Sequence, residues 1–255
     1  MYVPLSGLQQ AVRLVDSLTE LDDPAGFADL VLPGLARLIG CESVSYNEIG
    51  PETGQVKVDA YPHELLSPAR VASFAAFAHE HPLVVHYRLT GDDGPVRVSD
   101  VLSQERFHRL GLYNELFRYI PVEHQIAFSL RSSPPGSAGQ VVGIALNRAR
   151  GDFTEDDRAL LSVLRCPLVT ALERARRRQH AREGLAAANS SALDELTDRE
   201  MHVLRLAALG RTNTAIAHAL DVSPRTVAKH LEHIYRKLDV SSRASAVFTA
   251  LASHA

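Results

Sequence analysis

The chain has 255 residues, 45% hydrophobic and 22% charged, with a formal net charge of −3. At about 150 residues per domain, the length suggests one or two domains. A charge near zero excludes a uniformly basic protein, so any nucleic-acid contact must come from a local patch. Two cysteines exclude a disulfide framework and point to the cytosol, no run of about 18 apolar residues offers a membrane span, and Met1 to Gly7 lack a secretory pattern.

Leu8, Ala11, Val12, Val15 and Leu18 recur at helical spacing and predict an amphipathic helix over residues 5–20. Pro24 opens a second helix with Phe27, Leu30, Val31, Leu35, Leu38 and Ile39 inward, and Gly40 ends it. Residues 43–49 and 55–61 alternate as strands around the turn cluster Gly50–Gly54, a hairpin. A helical pattern returns over 68–80, a short extended piece covers 96–98, and 103–117 reads as helical. Residues 125–130 and 140–146 are strands joined by a Ser/Pro/Gly loop over 132–139. A long helix follows, capped by Thr154 with Asp157 three positions on. Pro167 predicts a kink within it, and the small residues 186–191 predict a linker. The first 150 residues thus read as an α+β domain, an antiparallel sheet flanked by helices, whose terminal helices either cover their own sheet or pair between two chains.

Five arginines fall between 174 and 182 (Arg174, Arg176, Arg177, Arg178, Arg182). They suit a solvated helix face or an auxiliary phosphate contact. Beyond them, Thr197 and Glu200 form a capping box, and Val203, Leu204, Leu206, Ala207 and Leu209 give an apolar face ending at Gly210. A short helix carries Ile216, Ala217 and Leu220. Ser223-Pro224 starts a third helix running to about Leu238, and a fourth runs from Arg243 to Ser253. A short helix, a tight turn and a longer helix form a helix-turn-helix. At about 100° per residue, Val227, Leu231, Ile234 and Leu238 of the third helix share one face. Arg225, Lys229, Glu232 and Arg236 share the opposite one, and Thr226, His230, His233 and Lys237 lie on a flank. Long polar side chains on an exposed stripe reach base edges in a major groove, and a flank of donors suits phosphates. An ordinary solvated face gives the same pattern.

The run Leu196-Thr197-Asp198-Arg199-Glu200, Val203-Leu204, Gly210, Asn213, Ile216-Ala217, Val222-Ser223-Pro224-Arg225-Thr226-Val227, His230-Leu231, Ile234, Lys237-Leu238 and Ser242-Arg243 closely resembles the LuxR/NarL-type C-terminal helix-turn-helix. The resemblance implies a four-helix, all-α DNA-binding module of a transcription regulator, acting as a dimer with the fourth helix in the dimer contact. Ala228 stands where many members carry a basic residue, and Glu232 is acidic at a groove-facing position, so the operator does not carry over from relatives.

The N-terminal part lacks the acidic pocket of a two-component receiver. It also has no Trp, which argues against an acyl-homoserine-lactone receptor. Residues 36–46, the turn at 50–54, the strand 142–148 and the helix start at 152–161 resemble a GAF-type sensor, a class that binds varied small molecules or none.

Candidate sites elsewhere are weak. His79, His81 and His86 are close in sequence, but a His-Glu-His spacing splits across helix faces, so no metal and no haem are expected. His63, His108 and His124 stand singly. Cys41 reads as a buried apolar residue, and Cys166, before Pro167, is a candidate redox sensor. Tyr46, Phe74, Phe77, Tyr113, Phe117, Tyr119 and Phe128 suit either a core or a pocket lining. No Walker loop, G-x-G-x-x-G, G-x-S-x-G or H-E-x-x-H occurs, so no enzyme activity and no cofactor are expected.

The expectation is therefore multidomain: a GAF-like sensor and dimerisation domain over 1–172, a basic helical linker over 173–191, and a helix-turn-helix domain over 192–255. The function expected is sequence-specific control of transcription by a cytoplasmic homodimer under a small-molecule or protein signal. The alternative is a ligand-independent regulator whose first domain only dimerises or docks a partner protein. Arg225, Ala228, Lys229 and Glu232 are expected to read bases of double-stranded DNA. Asn213, Ser223, Thr226, His230, Arg236 and Lys237 are expected to contact phosphates.

Overall fold

The computed structural model describes residues 5–50, 53–131 and 140–252. The expected loop over 132–139 and part of the turn at 50–54 lie outside them. The chain divides into two units, Met1–Arg176 and Arg177–Ala255.

The first unit opens with α1 (Leu5–Ser17), two 3-10 turns, and α2 (Phe27–Ile39), which Gly40 closes in the left-handed region at φ 70°. The hairpin β1 (Ser43–Gly50) and β2 (Gln55–Tyr61) follows. Then come α3 (Pro68–Phe77), α4 (Pro82–Thr90), β3 (Val96–Arg97), α5 (Val98–Val101), α6 (Gln104–Phe107) and α7 (Gly111–Glu115). β4 (His124–Ser129) and β5 (Val141–Arg148) complete an antiparallel sheet ordered β2-β1-β5-β4-β3. α8 (Glu155–Asp194) is capped as expected: the Thr154 hydroxyl accepts from Asp157 N at 3.1 Å, and the Asp157 carboxylate accepts from Thr154 N at 2.8 Å.

The expected helix over 103–117 is broken into α6, α7 and a 3-10 turn. Gly111 is the reason. A Cβ there would stand 2.7 Å from the Phe77 ring, and its N–H donates to Glu80 Oε2 at 3.0 Å, so packing on α3 overrides the helical period. α4 was not anticipated. Pro82 sits at its first turn and the His81 ring caps it, accepting from Leu83 N at 3.2 Å. The expected linker over 186–191 lies inside α8, as its alanine-rich sequence favours helix. The same helix continues unbroken through Pro167.

Strand alternation gives the sheet two different faces. Val44, Tyr46, Ile126, Phe128, Val142, Ile144 and Leu146 face α1, α2 and the start of α8, where Val31, Leu35, Leu161 and Leu168 are fully buried. The opposite face is set by Ser43, Ser45, Asn47, Gln125, Ala127, Ser129, Gly143, Ala145 and Asn147, and lies beneath the segment running from α3 through α7. On α1 itself, Ala11 and Leu14 are buried while Leu8 and Val12 are half exposed.

Gly143 allows β4 and β5 to approach. A Cβ at this position would stand 2.7 Å from the Phe128 carbonyl oxygen, a backbone atom held by the β4–β5 register. Gly143→Ala is expected to cost the first unit about 1–3 kcal/mol. Urea unfolding followed by tyrosine fluorescence checks this, since six of the seven tyrosines precede residue 177. An unchanged midpoint would show that the strands yield freely.

Candidate nucleic-acid interface and interior cavity

The second unit contains the end of α8 and four further helices: α9 (Asp198–Ala208), α10 (Asn213–Leu220), α11 (Pro224–Lys237) and α12 (Arg243–Ala252). Each start is chemically marked. Thr197 and Glu200 complete the capping box on α9, Thr212 caps α10 by accepting from Ala215 N, and Ser223 caps α11 by accepting from Thr226 N at 3.1 Å, with Pro224 at the first position. Asp221, in the left-handed region at φ 54°, makes the tight turn between α10 and α11.

Val227, Leu231, Ile234 and Leu238 are buried with Val203, Leu204, Ile216, Ala217 and Ala246. Arg225, Lys229, Glu232 and Arg236 are exposed on the other side of α11, as are Ser223 and Thr226. Ala228, His230 and His233 are half-buried. The helix therefore buries one stripe in the core and presents a charged one to solvent.

Two candidates of the phosphate flank are engaged inside the unit. The Lys237 ammonium donates to Glu200 Oε2 at 2.7 Å and to the Glu195 carbonyl at 3.0 Å, so it is not a free cation of the flank. Asn213 Oδ1 accepts from Arg243 Nη1 at 3.0 Å. Arg243 also donates to the carbonyls of Ala207 and Arg211, fastening α12 to the α9–α10 turn, and Arg199 donates to the Leu220 carbonyl at 2.7 Å. These two arginine braces were missed because their partners are backbone carbonyls, which no residue pattern displays.

Burial alone would raise the Glu200 pKa. The Lys237 ammonium and the Thr197 N–H and hydroxyl outweigh it and hold the carboxyl down to about 2. A carboxyl depressed in the folded state stabilises it fully above its unfolded pKa, and the contribution is lost as pH falls through the folded one.

The basic run divides. Arg174 donates to the Leu18 carbonyl at 2.5 Å, and Arg176 donates to Tyr46 Oη at 2.9 Å and Glu48 Oε1 at 3.1 Å. Both hold α8 to the first unit, a role distinct from the solvated-face and phosphate readings, while Arg182 is exposed.

The polar face of the sheet forms the floor of a cavity of about 120 Å³. Phe74, Leu83, Val84, Tyr87, Phe117 and Val122 cover it. Of the candidate aromatics, Phe74 and Phe117 line it, while Phe128 borders it only through the β4 backbone and turns its ring into the opposite core. Tyr46 packs on the other face, Phe77 and Tyr113 belong to the helical core, and Tyr119 is exposed. On the floor, Gln125 Nε2 donates to Asn147 Oδ1 at 2.7 Å, and Asn147 Nδ2 donates to Ser43 Oγ at 3.0 Å. The Tyr87 hydroxyl donates to the Ala127 carbonyl at 2.5 Å.

His81 is buried and lines the cavity, while His79 lies beside Glu80 and His86 beside Asp92. Among the described residues no group of three possible ligands gathers around a metal position. Cys41 is half-buried, its thiol donating to the Ser43 carbonyl and pushed up to about 11 by burial, and Cys166 is exposed. Among the described residues no helix is long and apolar enough to cross a membrane.

Residues 194–250 match the family model GerE, bacterial regulatory proteins, luxR family. The second unit carries a luxR-type helix-turn-helix. The luxR-type module aligns with a nitrate/nitrite response regulator protein homolog of Haemophilus influenzae at 52% identity over 54 residues, 21% of this chain and 26% of that protein. It also aligns with the transcriptional regulatory protein LiaR of Bacillus subtilis at 39% over 66 residues, 26% of this chain and 31% of that one. The chain thus spans under a third of these relatives, and the likeness is confined to the module. In structure, the VqsR LBD domain of Pseudomonas aeruginosa is similar at a TM-score of 0.50 and 14% identity, covering 69% of this chain and 99% of that one. That likeness is one of fold.

Removing Lys237 strands the Glu200 carboxylate. Lys237→Ala is expected to cost the luxR-type module about 2 kcal/mol, between the roughly 3–5 of a fully buried pair and the ~1 or less of an exposed one, because the lysine is partly solvated. The module of the unaltered chain should lose stability between pH 4.5 and about 2, and Glu200→Gln should flatten that loss. Unfolding followed by circular dichroism across this range checks both; an acid limb identical in Glu200→Gln would assign the loss to other carboxylates.

Proposed function

We propose that the protein is a sequence-specific DNA-binding regulator of transcription whose first unit is a GAF-like sensor for a small molecule. The observation that carries the reading is the exposed stripe Arg225, Lys229, Glu232 and Arg236 on α11, in a module matched to the luxR family. Arg225 and Lys229 suit guanine edges, Glu232 suits the cytosine amino group, and Ala228 suits a thymine methyl. Ser223, Thr226, His230 and Arg236 suit phosphates. Asn213 and Lys237 are read as holding the helices in place, since both are already bonded within the module.

We read the active form as a homodimer. Phe248 and Leu251 stand exposed on α12, and Leu8 and Val12, one turn apart, on α1. Solvated apolar pairs of this kind suit a second copy. The route from signal to DNA runs through β1. Its Ser45 and Asn47 line the cavity, while Tyr46 and Glu48 on its other face hold Arg176 of α8. A ligand that moves β1 would alter the grip on α8, and with it the engagement of two half-sites.

One observation favours a second reading. The cavity of about 120 Å³ is small against the roughly 300 Å³ of usual ligand pockets, which suits a ligand-independent regulator whose first unit dimerises or docks a partner.

Binding of the full chain to a selected duplex and to random DNA, at fixed salt, tests the reading. Lys229→Ala should cost about 1–3 kcal/mol on the selected duplex and little on random DNA. Arg236→Ala should weaken both alike and lower the salt slope by about 1. Equal losses for Lys229→Ala on both would make it a phosphate contact.

A further inference from the structure

The cavity in the first unit contains two polar groups left over after its own hydrogen bonds are counted. Gln125 is 4% exposed. Its Nε2 is committed to Asn147, but its Oε1 is buried and makes no hydrogen bond. An unpaired buried acceptor costs the full desolvation of that group, so a native structure that retains one calls for a partner. The second group is His81, also 4% exposed. Its Nδ1 accepts from Leu83 N, which places the proton of the neutral ring on Nε2. Burial keeps the ring neutral, pulling its pKa down to about 4, while Gln125, whose Oε1 faces the ring without meeting hydrogen-bond geometry, holds it up in part. The cavity thus holds a neutral donor and an unpaired acceptor close to one another.

The remaining lining narrows what fits. Among the described residues no Asp, Glu or Lys lines the cavity, and the one permanently charged residue there is Arg70, half-buried, with Nη1 donating to the Leu65 carbonyl. Most of the wall is Val, Leu, Ile and Phe. A cavity of about 150 Å³ takes benzene, and this one is about 120 Å³.

We propose that the cavity binds a small, uncharged, largely apolar molecule of about benzene size through one hydroxyl, which accepts from His81 Nε2–H and donates to Gln125 Oε1. The inference rests on reading the first unit as a sensor. An ammonium finds no carboxylate among the described lining residues, and a carboxylate would leave Gln125 Oε1 facing a second acceptor. A bare hydrocarbon fills the space but leaves both polar groups unpaired. The hydroxyl satisfies both with one oxygen.

Phenol, toluene and benzoate are the probes, titrated into the full chain without DNA and read by calorimetry and thermal shift. Phenol should bind about tenfold more tightly than toluene, and benzoate more weakly than both. Gln125→Met should retain toluene binding, which reports an intact cavity, while phenol falls to the toluene level. Should that variant not fold, His81→Asn keeps a capping acceptor for α4, removes the Nε2 donor and should show the same loss. Tighter binding of benzoate than phenol would overturn the proposal in favour of Arg70 as the anchor, and equal binding of phenol and toluene, or no binding of any probe, would also overturn it. Phenol that binds as expected but leaves DNA affinity unchanged would uphold the site and count instead against the sensor reading.

Discussion

Glu200 holds two helices with one carboxylate. It closes the capping box on α9 through Thr197 and takes the Lys237 ammonium from the last turn of α11. The apolar face of α11 decides which stripe is buried, since turning it outward would expose Val227, Leu231 and Ile234 at about 1.5–3 kcal/mol each. A charge-assisted bond at one end adds a directional constraint, because displacement strands a buried carboxylate. Together they fix which residues of α11 face outward. Arg225, Lys229 and Glu232 are exposed because Val227, Leu231 and Ile234 are packed and the helix end is pinned. The arginine braces on α10 and α12 act in the same sense, tying helix ends to one another through backbone carbonyls.

The first unit uses the opposite device. Its sheet packs bulky side chains on one face and small or polar ones on the other. The bulky face gives a filled core against α1, α2 and α8. The small face does not fill the space beneath the segment from α3 to α7, and a cavity with a hydrogen-bonded floor results. β1 belongs to both environments, with Ser45 and Asn47 on the cavity side and Tyr46 and Glu48 toward Arg176. In one strand, side chains two residues apart share a face and adjacent ones do not, so one strand touches both the cavity and the root of α8.

What was legible follows from the range of the forces involved. The caps at Thr154, Thr197 and Ser223 are contacts between residues three apart, and the sequence displays them directly. The faces of α11 follow from a regular period over 14 residues. The hairpin and the pairing strands were also readable from alternation. The cavity was not. Ser43, Ser45 and Asn47 look like a solvent face, and only the long-range covering by α3 to α7 turns them into a floor. The pairing of Gln125 with Asn147 across β4 and β5 was the available signal, two amides at positions that the register sets opposite, but it required the register first. The inward role of Lys237 was hidden for the same reason, since its partner lies 37 residues away. In 103–117, contacts of Gly111 with α3 outweighed local helical preference.

The most direct test of the central claim is selection of duplexes by the full chain from a randomised pool, repeated with Arg225 and Lys229 both changed to Ala. The account predicts enrichment of a motif with two related half-sites about one helical turn apart, or a multiple of it, and its loss in the double variant. A pool that emerges without a motif, or one in which the double variant enriches the same sequences, would contradict the assignment of α11 as the reading helix.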